Sequence, residues 1–153
     1  MTIPVLPSFI KVNHGWNAEP NAPHPTIALS GADVLLTFFV NPFQFPQFDT
    51  EDRGTIRFTS SSRYRLGGTN DEGWSRGQCR YSSIAPAWGE FYELNGTDSR
   101  LDEPQDWRVV DRTSNAGRHF LFYLRDHTFE CIAKDWKFES DSTNALYWHL
   151  IAK

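Results

Sequence analysis

Arginine is the residue type whose number and spacing point most directly to chemistry in this chain. Six arginines fall between positions 53 and 80, where the acids are Asp71 and Glu72. Arginine binds carboxylates and phosphates through a planar fork of N–H donors, and it stacks on aromatic rings. The following segment, 90–111, has the opposite character, with seven acids against two arginines. Either the two segments neutralise each other inside the fold, or the arginines meet a partner.

Three of these arginines are predicted to share one face of a strand. Residues 54–66, GTIRFTSSSRYRL, alternate in character as a half-buried strand does, and they form one long strand or two strands bent at the serines. Like charges on one face repel unless an anionic group meets them, either a carboxylate of segment 90–111 or an external anion. The predicted core face holds Ile56, Phe58, Ser60, Ser62, Tyr64 and Leu66, and the outer face holds Thr55, Arg57, Thr59, Ser61, Arg63 and Arg65.

Aromatic residues lie close to the arginines in sequence. Arg, Tyr and Trp are enriched at the energetic centres of protein interfaces, so an arginine–aromatic surface favours a protein partner. The partner would carry an acidic surface, because arginine forks pair with carboxylates. The Gly-flanked loop GGTNDEGW (67–74) borders this surface. The predicted binding residues are Arg57, Arg63, Arg65, Asp71, Glu72, Trp74, Arg76, Arg80, Tyr81 and Trp88.

Patterns for catalysis or metal binding are weak. Asp71 and Glu72 are adjacent carboxylates, and such a pair can perform acid–base chemistry, but loop acids more often cap turns or face solvent. Glu90 and Glu93, three residues apart, would lie on opposite faces of a strand and could not share a water molecule. The five histidines match no spacing typical of a metal site. We therefore predict no catalytic residue, no metal and no cofactor.

Composition narrows the class of protein. With 153 residues the chain is predicted to be one domain, 1–153. Its net charge of −4 disfavours nucleic acid as a partner. The N-terminus lacks the pattern of a signal peptide, no apolar run is long enough to span a membrane, and Cys79 and Cys131 form no disulfide framework. These features predict a cytoplasmic protein with no membrane partner.

The residue pattern favours an all-β or β-dominated fold. Aromatic residues make up 15% of the chain, and Gly and Pro are spread along it, as in folds with short strands and frequent turns. Segment 1–32 is predicted to be loop-like, and DVLLTFFV (33–40) to be a buried strand. The rings of Phe43, Phe45 and Phe48 are predicted to fold back onto the sheet. An antiparallel sheet of seven to nine strands, curled into a barrel or sandwich, fits this spacing.

Later segments complete the sheet. Strands are predicted within 78–82, 88–96 and 106–111, and segment 145–153 forms either a final strand or a short C-terminal helix. Residues 118–138 predict a hairpin that turns at Asp126 and His127. A two-residue turn would pair Phe122 with Cys131, whereas a longer loop would shift this register. His119 is predicted to be partly buried and hydrogen-bonded.

Two function hypotheses follow from these features. The first is a non-catalytic protein-binding module, such as a toxin-neutralising immunity-type protein or an adaptor, an analogy at the level of class. The second is a small-ligand-binding β-barrel or a small enzyme with a tryptophan-lined pocket. We favour the first, because the sequence is richer in interface-type residues than in catalytic motifs.

Overall fold

The described residues of this computed structural model, 7–67, 87–96, 101–102, 105–114 and 117–141, form eight β-strands and no helix. No helix among them is long and apolar enough to span a membrane. The strands are β1 (Ser8–Lys11), β2 (Thr26–Ser30), β3 (Asp33–Phe39), β4 (Arg53–Gly67), β5 (Phe91–Asn95), β6 (Arg108–Val109), β7 (Arg118–Tyr123) and β8 (Thr128–Ser140).

All eight strands belong to one antiparallel sheet. Their order is β1-β5-β7-β8-β4-β3-β2, and β6 pairs with β4 outside this path. The predicted all-β class and antiparallel sheet are confirmed. In the part of the chain that the structure describes, the terminal strands β1 and β2 do not pair with each other, so the sheet is not closed into a barrel. Both of these strands fall within the segment predicted to be loop-like, 1–32.

The long strands β4 and β8 form the centre of the sheet, and β4 bends at its serines. Ser60 has a φ of +49°, a backbone conformation that residues other than glycine rarely adopt. Directly after it, the register of the pairing with β8 shifts between Ser61 and Arg63. The predicted alternation is therefore wrong at the bend. Ser60 is exposed, whereas Ser61 is fully buried and donates a hydrogen bond to the Phe58 carbonyl over 2.8 Å.

One face of the sheet carries an aromatic core. Trp16 is 6% exposed and its ring stacks on the ring of Phe138, with centroids 4.1 Å apart and planes 2° apart. The segment before β2 thereby covers one side of the sheet. Rings from six phenylalanines, Phe38 among them, lie fully buried in this core, which removes their apolar surface from water. The other five are Phe58, Phe91, Phe120, Phe122 and Phe129.

The segment between β3 and β4 contributes less to the core than the sequence predicts. Phe48 is 5% exposed and belongs to the core, and Phe45 packs partly against it. Phe43 is 76% exposed, so the prediction that its ring folds back onto the sheet is wrong. Asn41 accepts hydrogen bonds from the backbone N–H groups of Phe43 and Gln44, which forms a turn that holds Phe43 away from the sheet.

The hairpin of β7 and β8 has the predicted faces but a longer loop. Tyr123 pairs with Thr128 and Phe120 pairs with Cys131, so the loop has four residues, 124–127, and the register differs by two from that of a two-residue turn. A shift of two keeps each side chain on its face, because strand side chains alternate with a period of two. The predicted strand within 78–82 and the predicted terminal element at 145–153 lie outside the described residues.

Candidate functional site

The three arginines predicted on the outer face of β4 do share that face, and each has an intramolecular carboxylate partner. Arg57 Nη1 donates to Asp33 Oδ2 over 2.8 Å, and Arg63 Nη1 donates to Asp102 Oδ1 over 2.8 Å. Asp102 lies within the acidic segment 90–111, the internal partner that the sequence offers. The acids of that segment therefore meet at least part of the arginine row.

Arg65 is the buried member of the row. Its guanidinium group, with 5% of the side chain exposed, donates to Asp106 over 3.0 Å and to Glu130 over 3.2 Å. Glu130 is also buried, and its second carboxylate oxygen lies 2.7 Å from His119 Nε2. The prediction that His119 is partly buried and hydrogen-bonded is confirmed. A buried pair of charges needs such additional hydrogen bonds to offset the loss of water.

Trp107 completes this cluster, although the sequence does not single it out. The guanidinium carbons of Arg63 and Arg65 lie 4.5 and 4.2 Å from the centroid of its ring, which is cation–π geometry. The indole Nε1 donates to the Leu101 carbonyl over 3.0 Å, and Arg65 donates to the same oxygen over 3.2 Å. The ring and both guanidinium groups are thereby fixed relative to one another.

The bend in β4 explains why Trp107 lies here. The extra residue at the register shift is Ser62, whose carbonyl accepts from the backbone N–H groups of Val110 and Asp111 over 2.8 and 3.1 Å. These bonds and the short strand β6 attach segment 108–111 to β4 opposite Arg63 and Tyr64. Trp107, directly before β6, therefore lies against the arginines. A strand predicted at 106–111 beside an arginine row is the signal that could have revealed it.

An open groove of about 220 Å³ lies at this cluster. Its walls are Arg63, Asp102, Gln105 and Trp107. Arg63 retains 28% of its side-chain exposure there, and Asp102 retains 63%. Arg63 donates a hydrogen bond from Nη1 to Asp102, and no described residue accepts a hydrogen bond from its Nε or Nη2. We call these four residues the Arg63–Trp107 groove.

Trp88 is the predicted site residue that the structure places elsewhere. Its ring packs on Tyr123, with centroids 4.8 Å apart, in a smaller apolar cluster that also contains Tyr92 and Leu121. The structure does not bring Trp88 into the groove. The remaining predicted binding residues, Asp71, Glu72, Trp74, Arg76, Arg80 and Tyr81, lie outside the described residues.

Other charges on the sheet are also paired. Arg118 donates to both carboxylate oxygens of Glu93, over 2.8 and 2.7 Å, and to Asp135 over 3.0 Å, and these bonds raise the pKa of Arg118. Asp33 has a lowered pKa because the backbone N–H of Ser60 and the Arg57 side chain donate to its carboxylate. Ion pairs of this kind hold a surface in one arrangement.

Metal-ligating groups do not converge in the described part of the chain, and the cysteine described there is buried. No three metal-ligating side chains among its residues form a group that could hold an ion. Burial raises the pKa of the Cys131 thiol to about 12, which removes it as a nucleophile at neutral pH because the thiolate is the reactive form.

Comparisons with known proteins add no family. A scan against protein-family models, a search of curated proteins and a search of solved structures each give no match to this chain.

Proposed function

We propose that this chain is a non-catalytic protein-binding module, of the kind represented by immunity-type proteins and adaptors, and that its partner presents an acidic surface. The observation that carries this proposal is the state of Arg63. Its guanidinium group is stacked on Trp107 and bonded to Asp102, yet Nε and Nη2 have no acceptor among the described residues. A carboxylate entering the groove would supply one.

Preorganisation supports a binding role for this groove. A side chain that is already held in one rotamer loses little conformational entropy when a partner binds, so more of the interaction free energy becomes affinity. Trp107 and Arg63 are of the types most often found at energetic centres of interfaces. Arg65 lies beneath them with 5% of its side chain exposed, and its role is to hold Trp107 in place.

The test is affinity capture with charge-reversed variants. The tagged protein is used as bait in lysate of its source cells, beside Arg63→Glu. We expect one stoichiometric protein with wild-type bait and a loss of at least about tenfold with Arg63→Glu, because the variant places a carboxylate against an acidic partner. Capture should also weaken as salt is raised, since salt screens exposed charges.

The matched control is Lys137→Glu. This variant makes the same change in charge at a side chain 71% exposed on β8, away from the groove. It should capture the partner as wild-type bait does. The proposal is wrong if no stoichiometric protein is captured, or if Arg63→Glu and Lys137→Glu capture the same amount.

A further inference from the structure

A second concavity, unrelated to the Arg63–Trp107 groove, lies where four loops meet at one end of the sheet. Residues 17–21, 88–90 and 123–125, together with Asn41 and Gln44, line a cavity of about 360 Å³, a volume within the range of small-molecule sites. None of its lining residues belongs to the groove. We call it the Asn41 cavity, after the residue that makes it a candidate site.

Asn41 presents an amide donor to the cavity. It is 8% exposed and lines the cavity. Its Oδ1 accepts from the backbone N–H groups of Phe43 and Gln44 over 3.0 and 3.2 Å, which fixes the orientation of the side chain. No residue in the described part of the chain accepts from its Nδ2. This amide donor is therefore available to a ligand that enters the cavity.

Glu90 supplies an acceptor in the same cavity. Its Oε2 accepts from Asn13 Nδ2 over 3.0 Å and lies 3.5 Å from Lys11 Nζ, while Oε1 has no donor among the described residues. Asn13 is itself 2% exposed and bonded to the Phe91 N–H and the Trp16 carbonyl. The carboxylate is therefore held in place from behind, with one oxygen left for a group in the cavity.

The wall of the cavity combines these polar groups with aromatic surface. Trp88 and Tyr123, whose rings are 4.8 Å apart, both line it, and so does Gln44 at the exposed side. A matching ligand must accept a hydrogen bond from the amide, donate a hydrogen bond to the carboxylate and pack carbon atoms against the aromatic surface. A hydroxyl group both donates and accepts, and a saturated sugar ring carries several hydroxyls around a face of C–H groups.

We propose that the Asn41 cavity binds a neutral polyhydroxylated ligand of the size of a mono- or disaccharide. Asn41 Nδ2 donates to one hydroxyl oxygen, Glu90 Oε1 accepts from another hydroxyl, and the ring packs against Trp88, since Tyr123 is 1% exposed. This site adds a ligand to the protein and does not depend on the protein partner proposed above, because the two concavities share no residue.

The test is ligand-observed NMR on the full chain with D-glucose, D-galactose, D-mannose and maltose as probes. We expect at least one to bind with a millimolar Kd. Permethylated glucose, which keeps the ring but cannot donate, should not bind. Removing one hydrogen bond in a site of this kind lowers affinity by about tenfold.

Two variants remove the two groups without removing the bonds that support them. Asn41→Asp keeps the oxygen that accepts from Phe43 and Gln44 but loses the donor, and Glu90→Gln keeps an oxygen for Asn13. Each should weaken binding about tenfold. Asn95→Asp makes the same chemical change as Asn41→Asp at an exposed position at the end of β5, and it should bind as wild type does.

Thermal unfolding of each variant separates a lost site from a lost fold. If Asn41→Asp is not folded, Glu90→Gln decides the result. The proposal is overturned if none of the four sugars binds at concentrations up to about 50 mM, well above a millimolar Kd. It is also overturned if a sugar binds equally to wild type, Asn41→Asp and Glu90→Gln, since the binding site then lies elsewhere.

Discussion

The two faces of the central strands differ in chemistry and in what they contribute. On the core face, β4, β7 and β8 present fully buried rings such as Phe58, Phe120 and Phe129. On the outer face, the same strands present Arg65, Glu130 and His119, which hydrogen bonds join into one cluster. Apolar burial stabilises a fold in proportion to the area buried and does not depend on how the side chains are oriented. Ion pairs add little net free energy, but they hold the charged side chains in defined orientations. The core face therefore supplies stability, and the outer face supplies a defined arrangement of charges.

Within the outer face, burial separates the arginines further. Arg65 and Glu130 have side chains 5% and 7% exposed, while Arg57 and Asp33 have side chains 36% and 27% exposed. Removing one charge of a buried pair leaves the other uncompensated, but removing one charge of an exposed pair leaves the other in water. The cost of breaking a pair should therefore fall from Arg65 to Arg57.

The largest expected effect tests the core face. Trp16→Ala removes the ring that stacks on Phe138, and we expect the free energy of unfolding to fall by about 4 kcal/mol, the range for a large buried ring. Chemical denaturation followed by circular dichroism measures it. Phe43→Ala is the control, because that ring is 76% exposed, and it should cost less than about 0.5 kcal/mol. Equal losses from both variants would contradict the assignment of Trp16 to the core.

The next effect tests the buried pair. Glu130→Gln keeps the shape of the side chain but leaves the Arg65 charge with weaker compensation, and we expect a loss of about 2 to 3 kcal/mol. The double variant Arg65→Met/Glu130→Met removes both charges, and its loss should be smaller than the summed losses of the single variants Arg65→Met and Glu130→Met. Additive losses in this denaturation cycle would show that the two groups are not coupled.

The sequence predicts the elements better than their junctions. Alternation and composition correctly indicate β3, β4, β5 and the hairpin of β7 and β8, because each strand has its own apolar pattern. The bend at Ser60 and Ser61 could not be read from alternation, since an extra residue in one strand is set by its neighbours. The sequence pattern also does not indicate strands β1 and β2. Most of their residues are exposed, so little apolar pattern marks them.

The candidate site was predictable in part. The common face of Arg57, Arg63 and Arg65 follows from period-two alternation, and acidic segment 90–111 as an internal partner follows from charge. Which acid meets which arginine depends on the attachment of segment 108–111 at Ser62, a non-local contact with no local signature. Trp107 lies within the predicted strand 106–111, but its position against the arginines depends on the same contact. The Asn41 cavity is formed by four separate loops, and no sequence window contains it.

The smallest expected effect tests the exposed pair, and its pH dependence identifies the group. Asp33→Asn keeps an oxygen that can accept from the Ser60 N–H, 3.1 Å away, and removes the charge that meets Arg57. At pH 7 we expect a loss of about 0.5 to 1 kcal/mol in the free energy of unfolding.

Because the folded state lowers the pKa of Asp33 below its ordinary value of 3.8, the stabilisation that the Asp33 charge contributes is present above that value. It is lost as the pH falls through the folded-state pKa. The stability difference between wild type and Asp33→Asn should therefore shrink in acid, and a difference that is unchanged from pH 7 down to about pH 2 would mean that the Asp33 charge does not stabilise the fold.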